Sequence, residues 1–475
     1  MYEHITRRDA LRLAAAVGGT AAVAGVSGRV SAQTADSSTV PMFRYDAHNS
    51  GVAPASGPTE GADDVWTFET GKKLTAQPIV ANGRVFQPSH DTTLYAVSAT
   101  DGSEVWSAGT NGPLVSSPAV GDGVVYVPTT TGRILAFGAG TGDGSWASSV
   151  KTKTVQSLTL LDDGLFATGR GNDLRDAYRL DPASGDQAWR WRLRQAYSGP
   201  VGTPVVAGDR VYVVHRYEDW KARITALSRS DGAKQWRRTL SGGGDHKAWG
   251  LTYADGTLYV GTNEGDVYSI DAESGEVNWR FDNISAVSTI PVYADGTLYV
   301  ASTGKNALHA LDPEIGTRQW KQSLNGTPTS PVYADGVLYF GAADNYVYAH
   351  DAADGEELWN YQTGNSIVAP PVVADGRVYV ASTDGVLYAL GEGSATVSAP
   401  DVTGNGNPAR DLDGDGLYED VNGDGAFTAV DVQALFANLD SDAVQENTEK
   451  FDFNGDGKVD ITDVQALFAI LNGER

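Results

Sequence analysis

The chain has no cysteine among its 475 residues. Disulfide staples, thiolate nucleophiles, covalent haem attachment and a lipid-bearing cysteine anchor are therefore excluded. Histidine is scarce, and the seven present show no metal-type spacing. Positive charge is also in short supply: 35 Lys and Arg face 60 Asp and Glu, for a net charge of −25. Nucleic acid and anionic membrane surfaces repel such a chain, so neither is an expected partner. Arg outnumbers Lys and Asp is frequent, a balance suited to high salt, where screening removes the cost of self-repulsion. Calcium-type loops near the carboxyl terminus add to the Asp count. Long apolar runs are missing too. The apolar stretch Leu13 to Val26 is too short to span a bilayer unaided.

That stretch sits in a recognisable setting. Thr6-Arg7-Arg8-Asp9-Ala10-Leu11 precedes it and Val30-Ser31-Ala32 follows, which resembles a twin-arginine export signal over residues 1–32. The expectation is export of an already folded protein to the exterior or cell surface, with the mature chain starting near Gln33. An uncleaved signal acting as a tether is the alternative. Residues 33–62, rich in Ser, Ala and Gly up to Pro58, read as a flexible leader. After cleavage no membrane span is expected, and the chain reads as a monomer.

What the sequence has in abundance is one repeated unit. Gly-x-x-x-Trp recurs at Gly102/Trp106, Gly142/Trp146, Gly185/Trp189, Gly232/Trp236, Gly275/Trp279, Gly316/Trp320 and Gly355/Trp359, with Trp66 as a solitary copy at the front. Successive tryptophans lie 39 to 47 residues apart. Val267-Tyr-Ser-Ile-Asp271 alternates as a half-buried strand does, and Ser274-Gly275 turns it toward the Trp279 strand. A second hairpin precedes each such pair. Its turn is Asn82-Gly83, Asp122-Gly123, Asp163-Gly164, Asp255-Gly256, Asp295-Gly296, Asp335-Gly336 or Asp375-Gly376, inverted once to Gly208-Asp209. Four short strands per unit make a propeller blade. Eight hairpin openings but only seven following Trp strands predict that the Trp66 strand completes the last blade. The fold class is thus mainly β: an eight-bladed β-propeller of four-stranded antiparallel blades over 63–391.

Leu-Tyr-Ala-Leu strands followed by a Ser/Thr-Gly turn and Gly-x-x-x-Trp resemble the quinoprotein-type (PQQ-like) repeat over Val65 to Gly391. That resemblance implies tryptophans docking adjacent blades. Members that oxidise alcohols are larger and use a catalytic Asp beside a calcium-bound quinone, often under a vicinal disulfide. The quinone-binding Glu, Asn and Asp match no motif here, and a bound quinone (PQQ) is not expected. The compact ring is more similar to the eight-bladed propeller of bacterial outer-membrane assembly, a non-enzymatic protein. No catalytic residue is nominated. Trp189-Arg-Trp-Arg-Leu-Arg194 reads as inward apolar packing with outward charges guarding an edge, or else as an anion-binding stripe. Ser241 to Lys247 reads as a loop between blades.

Beyond a linker at 392–409, the composition changes. Asp420, Asn422, Asp424, Ala426, Thr428 and Asp431 form one twelve-residue calcium loop; Asp452, Asn454, Asp456, Lys458, Asp460 and Asp463 form another. Oxygen side chains occupy positions 1, 3, 5, 9 and 12, glycine takes position 6, and position 7 (Ala426, Lys458) lends its carbonyl. Each loop runs into the same heptapeptide, Asp431 to Ala437 and Asp463 to Ala469. Asp411, Asp413, Asp415, the Leu417 carbonyl and Glu419 outline half of a third loop. The duplicated loop-helix resembles a dockerin, an EF-hand-like α-helical module, over 410–475. Calcium at two sites, with a third half-loop, is implied, as is an extracellular cohesin-like protein partner. Loop positions 10 and 11, which dockerins use for recognition, are Ala429-Val430 and Ile461-Thr462, more apolar than the usual Ser-Thr. The expected function is a secreted non-enzymatic binding or scaffold protein. The alternatives are a PQQ-dependent oxidoreductase of the alcohol or sugar dehydrogenase type, and an accessory component of an extracellular polysaccharide-degrading complex.

Overall fold

The computed structural model describes residues 39–150, 154–170, 175–193, 202–216, 221–240, 247–282, 284–393, 402–403, 409–410, 417–445 and 447–473. The export segment, most of the linker, the loop at 241–246 and Asp411, Asp413 and Asp415 lie outside the described residues.

Eight four-stranded antiparallel sheets form the ring. In seven of them the strands follow chain order; in the eighth the order is Ala62–Glu69, Val386–Glu392, Arg377–Ala381, Val372–Ala374. The strand carrying Trp66 therefore closes the ring on the last sheet, with Trp66 opposite Ala389 and Glu69 opposite Val386. The first strands of adjacent blades adjoin around the axis. All but Thr154–Leu161 are three residues long, and some, such as Val332–Ala334, are buried throughout. The outermost strands instead face solvent except at tryptophan, as in Glu104–Gly109, where only Trp106 is buried.

One contact is repeated at every blade junction. Each indole N–H donates to a carbonyl of the next unit: Trp66 to Ala99 at 3.1 Å, Trp189 to Arg229 at 2.9 Å, Trp279 to Pro313 at 2.8 Å. The indole lies on the glycine of the following Gly-x-x-x-Trp. A Cβ on Gly102 would come within 2.8 Å of the Trp66 ring, and one on Gly275 within 2.6 Å of Trp236. Gly102 also holds φ +74°, so both space and backbone require glycine there. Trp359 breaks the pattern in an informative way. Its N–H reaches Pro58 O at 2.9 Å, because the chain at the seam enters from the amino-terminal side.

The hairpin turns behave as read at six positions. Asn82-Gly83 and the five Asp-Gly pairs at 122, 255, 295, 335 and 375 have positive φ at both residues, the type I′ requirement. Gly208-Asp209 has positive φ at Gly208 alone, as a type II′ turn does. The exception is Asp163-Gly164. Leu161 pairs with Gly164, so the turn is Asp162-Asp163 and the glycine opens the next strand.

Two expectations are corrected. The leader is not flexible from Val40 onward; it threads the ring and bonds the inner edges of the blades. Val40 N donates to Val80 O (2.6 Å), while Pro41, Ala47, His48 and Gly51 carbonyls accept from Val120, Val206, Tyr253 and Tyr333 N–H at 2.7 to 3.0 Å. Tyr45 Oη accepts from Val373 N–H at 2.8 Å. Unpaired inner-strand edges explain the ordering, since each buried N–H needs an acceptor. At the centre lies Arg44, fully buried. Its guanidinium donates to Pro291 O (2.8 Å), Pro331 O (3.0 Å) and Asn49 O (3.2 Å). Burial lowers its pKa to about 10, with Tyr45 and Asp46 opposing, and it stays cationic at neutral pH. Arg190, read as an outward guard, is the second correction. Its Nε lies 3.0 Å from Asp176 Oδ2, a carboxylate with no solvent exposure. Pairing to that buried charge outweighs exposure of the cation.

Candidate functional site

Two places merit consideration, and the first is the mouth of the axial channel. The residues that lead into the innermost strands line a cavity of about 460 Å³, to which all eight blades contribute. Phe43, from the threaded segment, also lines it. Among the described residues the lining contains Ser, Thr, Gln, Trp, Phe, Pro and aliphatic side chains but no Asp, Glu, Lys, Arg or His. Some hydroxyls are used internally: Thr75 with His90 (2.7 Å), Thr289 to Ala301 O (2.6 Å), and Ser330 from Ile290 N–H (2.9 Å). A calcium-bound quinone bearing carboxylates needs cations for itself and carboxylate oxygens for the metal. The described residues of the lining supply neither, so they do not fit that group.

Sequence reasoning missed this cavity. The available signal is a hydroxyl or amide residue just before the proline that opens an inner strand, as in Gln77-Pro78, Ser117-Pro118, Thr203-Pro204 and Ser330-Pro331.

The second place is the carboxyl-terminal module. Helices Ala429–Ala437 and Ile461–Leu471 pack together around Leu435, Phe451, Phe453 and Leu467, all buried. The two loops have matching internal bonds. Asp420 accepts from Asp424 N–H (3.0 Å) and Gly425 N–H (2.7 Å); Asp452 accepts from Asp456 N–H (3.0 Å) and Gly457 N–H (2.7 Å). Asn422 and Asn454 each accept from the aspartate two residues on, at 2.9 Å. Asp424 and Asp456 accept from Ala426 and Lys458 N–H at 3.0 and 3.1 Å.

Asp431 and Asp463 do double duty. Each closes its loop by accepting from Asn422 or Asn454 N–H at 3.1 Å, and each completes a capping box with Thr428 or Asp460. The Asp at the twelfth position thus serves both the loop and the helix start. Asp420, Asp431 and Asp463 are completely buried. Burial holds the Asp463 carboxyl above its ordinary range, with Asp460 and Asn454 N–H opposing and Asp452 and Asp456 adding to the rise.

Among the described residues, no group of three or more His, Cys, Asp or Glu is drawn together in a metal-holding arrangement; the carboxylates are turned onto backbone N–H groups. Arg410 and Asp420 exchange backbone hydrogen bonds at 2.9 and 3.1 Å, framing the half-loop between them. Of that third set, Leu417 is half-buried and Glu419 buried.

The architecture defines the class: a closed PQQ-type propeller followed by a duplicated loop-helix module. Comparison then supplies the family. The model described as "Outer membrane protein assembly factor BamB" matches residues 50–219 and 220–433, and the chain belongs to that family. Residues 418–472 match the dockerin type I domain. The two matches overlap; the structure ends the last blade at Glu392, which leaves residues 418–433 to the dockerin.

The chain is 30% identical over 190 residues to the serine/threonine-protein kinase AfsK of Streptomyces coelicolor, 39% of this chain and 22% of that protein. It thus spans about a fifth of that relative. Among solved structures, BamB from Moraxella catarrhalis superposes with a TM-score of 0.58 at 19% identity, covering 70% of this chain and 99% of that one. The quinohemoprotein alcohol dehydrogenase ADHIIG from Pseudomonas putida HK5 gives 0.66 at 14%, covering 95% and 97%. At such identities the likeness is one of fold.

Proposed function

We propose that the protein is a non-enzymatic binding or scaffold component of the cell exterior, a rigid propeller fastened to a cohesin-like protein by a calcium-dependent dockerin module. The carrying observation is the duplicated module's solvent face. Phe436 and Phe468, equivalent residues of the two heptapeptides, are 60% and 52% exposed, with Val430 and Ile461 beside the loops also exposed. Large exposed apolar side chains in equivalent positions suit a protein contact.

The oxygen-rich loops fit calcium. Asp420, Asn422, Asp424, the Ala426 carbonyl, Thr428 and Asp431 would hold one ion. Asp452, Asn454, Asp456, the Lys458 carbonyl, Asp460 and Asp463 would hold a second, and the half-loop from Asp411 to Glu419 a third. When bound, calcium neutralises the buried carboxylates and couples loop closure to helix packing. Paired arginines at Arg7-Arg8 support export, and the lack of charge among the described lining residues argues against the oxidoreductase alternative.

The test is binding of full-length protein to immobilised cohesin modules with calcium and with chelator. Calcium-dependent binding that weakens ~30-fold or more for Phe436→Ala/Phe468→Ala, as loss of hot-spot residues predicts, supports the reading. Binding indifferent to chelator, or absent throughout, refutes it.

A further inference from the structure

We infer that the axial cavity is a site for an uncharged, polyhydroxylated ring: a neutral sugar residue stacked on Trp249. This deepens the binding-protein reading by assigning the propeller's ligand, and rests on it. Four lining hydroxyls, those of Ser116, Ser117, Thr203 and Ser288, make no hydrogen bond among the described residues, unlike Thr75, Thr289 and Ser330.

Trp249 differs from the tryptophans at the blade junctions, which lie against glycine and donate N–H to carbonyls. It is 41% exposed at the cavity, and its N–H has no acceptor among the described residues. The lining also contributes an apolar stretch, Ile367-Val368-Ala369-Pro370, where Val368 is 52% exposed.

The cavity therefore combines an open indole, spare hydroxyls and an apolar stretch. A sugar ring has the matching parts: C–H groups on one face for the indole and hydroxyls at its rim for Ser and Thr. An ionised ligand would lose hydration with no opposite charge among the described lining residues to replace it. The volume, about 460 Å³, falls within the roughly 300–1,000 Å³ of small-molecule sites.

Calorimetric titration of full-length protein with maltotetraose, cellotetraose, xylotetraose and tetragalacturonate tests this. At least one neutral tetrasaccharide binds and the charged one does not. Trp249→Ala weakens binding about tenfold or more and Thr203→Val several-fold, the scale of a lost stacking contact and a lost hydrogen bond. Circular dichroism confirms folding, and Thr203→Val keeps the test informative if Trp249→Ala is unstable. No neutral binding, affinities within about twofold of wild type in both variants, or equal binding of tetragalacturonate overturns the assignment. Cohesin binding retained alongside any of these results sinks the sugar site alone. Cohesin binding lost with sugar binding intact sinks only the attachment.

Discussion

Replacing Gly51 with alanine tests whether the threaded segment is locked by Arg44. Gly51 holds φ +69°, and a Cβ there would come within 2.6 Å of Arg44 Cζ. The left-handed backbone costs alanine about 1–2 kcal/mol. Displacing the guanidinium from one carbonyl costs about 1.5–3 kcal/mol more, since the bond is charge-assisted and its acceptor is buried. Gly51→Ala should therefore destabilise the ring by about 2.5–5 kcal/mol. In an Arg44→Ala background the collision is gone and only the backbone cost of about 1–2 kcal/mol should remain. The two substitutions thus couple by about 1.5–3 kcal/mol, less than additive. Urea unfolding at fixed calcium, followed by tryptophan fluorescence, reads the ring alone, because no tryptophan lies beyond Trp359. Additivity within ~0.5 kcal/mol would refute the lock.

Trp66→Ala should cost about 3–5 kcal/mol, read as a lowered urea midpoint; a loss below ~1 kcal/mol would mean the closing strand does not seal the ring. His309, buried on the third strand of its blade, has a pKa lowered to about 4 by burial and then by Arg318 and Lys321. A base depressed on folding contributes stability that is present above its unfolded pKa near 6.5 and is lost as pH falls toward 4. His309→Leu should flatten the midpoint across that window, and an unchanged slope would count against it. In the tail, four carboxylates in the second loop (Asp452, Asp456, Asp460, Asp463) against three in the first (Asp420, Asp424, Asp431) predict tighter calcium binding at the second. Calorimetry on the full chain should show Asp456→Ala abolishing the stronger phase and Asp424→Ala the weaker one. Equal effects would argue against the ranking.

The ring was legible because its determinants are local and repeated. Asn-Gly and Asp-Gly turns announce hairpins, tryptophan every 39 to 47 residues announces blades, and a surplus Trp66 announces the seam. Less visible was anything without a period. Residues 40–58 resemble a linker in composition, yet the blades' inner edges recruit them, a tertiary demand that composition does not carry. Arg190 looked like a surface charge because its partner, Asp176, sits on another strand. Asp163-Gly164 misled because a two-residue loop can shift by one position when neither of its residues needs positive φ. In the tail, loop spacing was plain, but the capping role of Asp431 and Asp463 emerged only with the helix starts in place. The axial cavity is assembled from single residues of separate blades, so no contiguous motif announces it.

The seam also sets an order of events. Residues 40–69 leave the ribosome first, but their partners run through to Glu392. The closing strand, Ala62–Glu69, must wait unpaired until nearly the whole propeller has been made. Contacts this distant in sequence slow folding and leave strand edges open meanwhile. A truncation anywhere before the final blade should therefore yield an aggregating product rather than a smaller ring.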